Sequence, residues 1–258
     1  MSKSRDLIYL NAYPNENRIV SCGIEFKEFV TALENPLDNI LVLAGYFDEG
    51  EFDYTTRCNF IREEIIPNII NTDVYKFGDF CWVDFTDTES LGTLEPREVA
   101  ELLYLGHMMK PVASPFFDKL NNRFSYLAHD DGWFNTFYCR NLREFEHIIG
   151  KVIRLKVNRS KVVPEIPLEI SNLLIEYAQD GLLLDFDHVI RGRSLEIPIF
   201  TIGKMLNMDD MYNNLQKHLQ RAKFGACLVL KKSDWSIQPY DIDKMPWFSL
   251  HLGASPFV

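Results

Sequence analysis

The most restrictive signal in the chain lies between Arg123 and Arg140, where two strand-like runs, Phe124 to His129 and Trp133 to Cys139, flank Asp130-Asp131-Gly132. An Asp-Gly pair between such runs favours a tight antiparallel hairpin, because glycine tolerates the positive φ that the reversal needs. A hairpin over about 123–140 commits this part of the chain to antiparallel sheet. The elements around it then decide the fold class.

Upstream, Leu7 to Leu10 and Arg18 to Cys22 read as short strands around a turn-rich Asn11 to Asn17. Phe26, Phe29, Val30 and Leu33 recur at helical spacing, and the pattern stops near Asn35-Pro36. Ile40 to Phe47 is an apolar run of strand length. A helix is expected from Thr55 or Thr56, carrying Phe60, Ile61, Ile65 and Ile66 until Pro67 interrupts its ladder. A strand at Phe80 to Phe85 follows, then a helix from Pro96 to about Met109, and a loop enforced by Pro111 and Pro115.

Downstream of the hairpin, Asn141 with Glu144 marks a helix start, Phe145, Ile148 and Ile149 give it an apolar face, and Gly150 offers a stop. Val152 to Val157 then reads as a strand. Further on come a helix from Leu168 to Gln179, a strand at Leu182 to Phe186, and a helix from Asp209 to Lys223 ended by Gly225. Ala226 to Leu230 and Ser236 to Tyr240 close as a strand pair. Helices and strands are interspersed without a βαβ rhythm, so the expected class is α+β with a mixed or antiparallel sheet. The chain reads as one unit over 1–258, and 159–167 is the segment that would divide it into lobes 1–158 and 168–258.

With 47% apolar and 25% charged residues, the composition is that of a globular domain. No stretch approaches the ~18 consecutive apolar residues of a bilayer span, and the polar Met1 to Asp6 followed by the brief Leu7 to Leu10 is no secretory leader. A cytoplasmic protein is the expectation. The five cysteines are odd in number and sit among apolar neighbours, which suits buried free thiols. Charge is more informative: residues 25–101 hold 18 acids and 5 bases, a net −13, so of the total −10 the rest of the chain carries +3. Such a field repels phosphate backbones and anionic membranes and attracts a basic protein. The plainer account is that the acids populate helix first turns and solvated faces.

No phosphate-cradling glycine loop, paired C-x-x-C, H-E-x-x-H or G-x-S-x-G occurs, so no cofactor or metal is expected from motifs. The one enzymatic candidate is Asp185 with Asp187, two carboxylates at i and i+2 on an apolar strand, where both would point to one face and share a divalent cation. The eight residues from Leu182 to Val189 resemble the first motif of the haloacid-dehalogenase-like phosphotransferases. That resemblance implies Asp185 as nucleophile and Asp187 as acid/base. Thr201 stands where the second motif would, too soon for an intervening crossover helix.

The hairpin tip and its flanks, Tyr126, His129, Asp130, Asp131, Trp133 and Asn135, mix acid and aromatic groups as binding surfaces do, although strand aromatics also serve a sheet core. The apolar tail from Met245 to Phe257 is a docking candidate or a strap across its own domain. Three function classes follow. The first is a non-catalytic acidic protein that binds a basic partner, in general character, though through no motif, similar to bacterial immunity and inhibitor proteins that neutralise basic toxins. The second is a metal-assisted hydrolase or phosphotransferase using Asp185 and Asp187, and the third a subunit of a larger assembly.

Overall fold

The computed structural model describes residues 6–45, 47–74, 78–130, 132–158, 163–205, 210, 213–222 and 224–239. In chain order the first strands are β1 (Leu7–Tyr13), β2 (Arg18–Cys22), β3 (Asn39–Ala44), β4 (Glu51–Phe52), β5 (Asn59–Arg62) and β6 (Phe80–Phe85). The hairpin supplies β7 (Phe124–His129) and β8 (Phe134–Cys139). The last strands are β9 (Leu182–Asp185), β10 (Ile190–Arg191), β11 (Leu195–Thr201), β12 (Phe224–Lys231) and β13 (Asp234–Pro239). The α-helices are α1 (Phe26–Ala32), α2 (Ile66–Ile70), α3 (Pro96–Gly106), α4 (Leu142–Val157), α5 (Leu168–Ala178) and α6 (Leu215–Gln220).

The strands form one sheet in the order β13-β12-β11-β9-β1-β2-β8-β7-β6-β3-β5-β4, with β10 on β11, and among the described residues every ladder is antiparallel. The α+β class with an antiparallel sheet is therefore the observed one. Because β9 lies between β1 and β11, strands from both sides of 159–167 share one ladder. Residues 159–162 of that segment lie outside the described residues, but Pro164 O accepts from Trp235 Nε1 at 3.1 Å and Ile166 is buried.

Alternation along the strands sorts side chains between two unequal layers. On one face, Ile8, Leu10, Ile40, Trp82, Tyr126, Phe137, Leu184 and Ile199 join the buried faces of α1, α4 and α5 in a single core. Its centre is aromatic: Phe29 stacks on Phe137 at 4.8 Å, Trp82 on Tyr126 at 5.4 Å, and Phe26 meets Phe80 edge-on at 5.2 Å. The other face has two separate clusters. One packs Tyr9, Leu183 and Phe200 under Leu215 and Leu219 of α6, and the other packs Leu41, Phe60, Cys81 and Val83 under Leu102 and Leu105 of α3. The α3 cluster extends to Leu127 and Tyr138 of β7 and β8, and Val20 and Phe134 of β2 and β8 pack against the α6 cluster, so both reach the middle strands.

Three expectations are corrected. The run after Gly150 is no strand, because α4 passes through that glycine to Val157. Thr55 to Ile66 is not one helix: Phe60 and Ile61 are adjacent residues of β5 that feed opposite layers, and Pro67 sits in the first turn of α2, where its missing N–H costs nothing. Gly225 does not stop a helix but lies within β12. All five cysteines are free and buried, and among the described residues no helix is long and apolar enough to cross a membrane.

Candidate functional site

The sheet order gathers the acidic stretch in space. Strands β6, β3, β5 and β4 are the last four at one end, and residues 39–101, which supply them, hold 14 acids against 4 bases, while α1 packs on Phe137 of β8 and pairs Glu28 with Lys156 of α4. The opposite end, built from 182–239, holds 6 acids against 8 bases and so carries +2. Charge is thus segregated along the long axis of one sheet.

The edge strand β4 is where the acidic end meets solvent. Glu51 accepts from Arg62 Nε at 2.5 Å and Nη2 at 3.2 Å, and this fork holds its carboxyl below the usual range. Asp53 shapes the turn that follows, accepting from Thr56 N at 2.6 Å and Thr56 Oγ1 at 2.7 Å. That turn leaves two aromatic rings outside: Phe52 is 48% and Tyr54 78% exposed, edge to face at 5.2 Å. Asp48 and Glu49 before β4 and Glu63 and Glu64 after β5 are exposed at the other end of this strand pair, and the segment 47–64 holds 6 acids against 2 bases. Exposed aromatics in a charged segment are the composition of interface anchors.

Of the two aspartates that the sequence placed on one strand, the structure keeps only Asp185 there. β9 ends at Asp185, so Asp187 lies beyond it, with its N–H donating to Asp6 O at 3.1 Å. Asp185 is 9% exposed and its carboxylate is engaged locally, accepting from His188 N at 3.2 Å and facing His188 Nδ1 at 2.7 Å. Burial pushes its pKa up while His188 pulls it down. This is a carboxylate that closes a turn, and among the described residues no group of three His, Cys, Asp or Glu side chains is placed to hold a metal ion.

The hairpin candidates divide by strand parity. Tyr126 and Asn135 face the closed core, where Tyr126 OH donates to Asn135 Oδ1 at 3.0 Å and Asn135 Nδ2 to Ile24 O at 2.7 Å. Both are buried structural groups. His129, Asp130 and Trp133 instead line a groove of about 460 Å³ over the middle strands β2, β7 and β8. His129 stacks on Phe134 at 4.5 Å, and burial pushes its imidazole below the ordinary value. Asp130 and Gly132 take the positive φ, +50° and +78°, that the reversal requires, and Asp131 lies outside the described residues. So does the tail from Met245 to Phe257.

Sequence reasoning passed over Phe52 and Tyr54, although two aromatics on either side of Asp53 in the acidic run from Asp48 are a readable anomaly. It also passed over the groove residues Tyr13, Arg18 and Lys110, and no local signal marks these, because only the strand register brings them beside Tyr138 and His129. Compared with known proteins, the chain matches no protein family, no curated protein and no solved structure.

Proposed function

We propose that this chain is a non-catalytic binding protein whose acidic end engages a basic protein, as immunity and inhibitor proteins do with basic toxins. The observation that carries the reading is the exposed Phe52–Tyr54 pair at the end of edge strand β4, in a segment that also exposes Asp48, Glu49, Glu63 and Glu64. Aromatic rings supply desolvated contact area, and the acids of the segment steer a cationic surface toward them and reject an anionic one. Most of these carboxylates sit at the rim, so their part is chiefly in association rate and salt dependence, while the rings hold the complex together.

The test is capture of a partner from native lysate, followed by affinity measurement on the purified pair. A basic protein should be retained at about 0.05 M salt and released near 0.5 M, since the Debye length shortens several-fold over that range. Tyr54→Ala should weaken the complex at least about tenfold, as hot-spot tyrosines do, and Glu63→Gln with Glu64→Gln should slow association. A partner whose affinity ignores all three substitutions, or an acidic partner, overturns the reading.

A further inference from the structure

We propose that the groove over β2, β7 and β8 is a binding site for a small planar aromatic carboxylate, distinct from the protein-binding edge. Its volume of about 460 Å³ falls within the ~300–1,000 Å³ of small-ligand sites. The floor is sheet: Val20, Leu127 and Thr136 come from adjacent strands. Rings and thioethers form the walls, including Trp133, Phe134 and Tyr138, with Met108, Met109 and Met205 at the sides. Methionine side chains adapt their shape to a flat guest.

The two ends of the groove differ in charge, and that difference orients the ligand. Arg18 pairs with Tyr138 and His129 with Phe134 across the ladder, so the ends are four residues apart on β8, roughly 13 Å. At the first end, Glu16 Oε2 alone receives both Arg18 Nε at 2.9 Å and Lys110 Nζ at 3.1 Å. Lys204 Nζ adds a third cation 4.3 Å from the centre of the Tyr13 ring, against which the Arg18 guanidinium also lies at 3.9 Å. Two cations therefore share one carboxylate oxygen, and a third lies on the ring beside them. Glu16 takes only Nε of Arg18, and neither Nη atom has a partner among the described residues, which leaves the terminal fork of the guanidinium for a second carboxylate in bidentate geometry. At the other end Asp130 repels an anion, while the stacked His129–Phe134 pair and Trp133 offer flat apolar contact. The carboxylate belongs at Arg18 and the aromatic body over Thr136 toward Phe134. In a chain of net charge −10, this is a local cluster of cations set apart from the acidic end.

The experiment is calorimetric titration of the full chain with 1-naphthylacetate and, separately, with its uncharged amide. One saturable site should bind the acid about tenfold more tightly than the amide, the value of one charge-assisted hydrogen-bonded pair. Lys110→Gln, at a 68% exposed side chain whose loss leaves the core untouched, should weaken the acid several-fold and spare the amide. Arg18→Gln should erase the preference, and Thr136→Trp should abolish binding of both by filling the groove. Equal affinity for acid and amide, binding unaffected by Lys110→Gln and Thr136→Trp, or no saturable binding at all overturns the proposal. None of these residues belongs to the β4 edge, so this result and the test of partner binding stand or fall separately.

Discussion

Strands β7 and β8 present two different surfaces from one hairpin. On one side Tyr126 and Phe137 enter an aromatic core sealed by α1 and α4, and on the other Leu127, at the margin of the cluster under α3, and Thr136 floor a groove. The backbone ladder is common to both, so the difference lies in what packs above. The sealed side holds the fold together, and the open side is free to be polar, adaptable and functional. A fold organised in this way tolerates change on one face of a strand and resists it at the next residue.

Breaking that contrast is easiest at Phe29, which is fully buried and contacts Phe124 at 5.4 Å and Phe137 at 4.8 Å. Phe29→Ala should cost about 3–5 kcal/mol, the lost transfer energy plus the cavity. Thr136→Ala, on the groove side of the same sheet, should cost less than about 1 kcal/mol. Denaturant titration of the two variants measures the gap, and comparable losses would show that the groove face is as constrained as the core.

The sealed side also contains an ionisable group, and pH sharpens the comparison. Asp84 is 4% exposed, with Oδ1 accepting from Phe124 N at 2.7 Å and Oδ2 from Arg123 Nε at 3.4 Å. Burial outweighs these partners and pushes its pKa up from 3.8 to about 6. The folded state therefore holds this proton more tightly than the unfolded chain. Its contribution is fully present below 3.8 and is lost as pH rises through about 6. The full span corresponds to roughly 3 kcal/mol. Asp84→Asn keeps an acceptor for Phe124 N and removes the titration, so stability measured across that window should flatten relative to the parent. An unchanged slope would place the titration elsewhere.

Much of this architecture is legible in the residues. The Asp-Gly reversal announces the hairpin, and the helical spacing of Phe26, Phe29 and Val30 announces α1. What the sequence hides is pairing between distant segments. Nothing local says that Leu182–Asp185 inserts beside β1, that Arg18 lies opposite Tyr138, or that Phe60 and Ile61 serve opposite layers. The groove is a product of that register. Asp185 shows the converse: its type and its apolar strand suggested catalysis, but the strand stops two residues short of Asp187.

Gly150 is the instructive misreading, and the smallest effect tests it. As a residue type it signals a helix end, yet α4 runs seven residues beyond it to Val157. The reason is a neighbour. A Cβ built on Gly150 would lie 3.0 Å from Ser171 Oγ of α5 and 3.5 Å from Ile166 Cβ, so the glycine is there to let α5 and its leading segment approach α4. Two opposed terms then meet in Gly150→Ala: about 1 kcal/mol gained in helix propensity, and a comparable loss as the Ser171 hydroxyl gives way. The net change should fall within about 1 kcal/mol of zero. Gly150→Val adds branching where no room exists and should cost about 1–3 kcal/mol. Thermal unfolding of the pair separates the accounts: if valine is tolerated as well as alanine, close approach of α5 is not what keeps a glycine in the middle of α4.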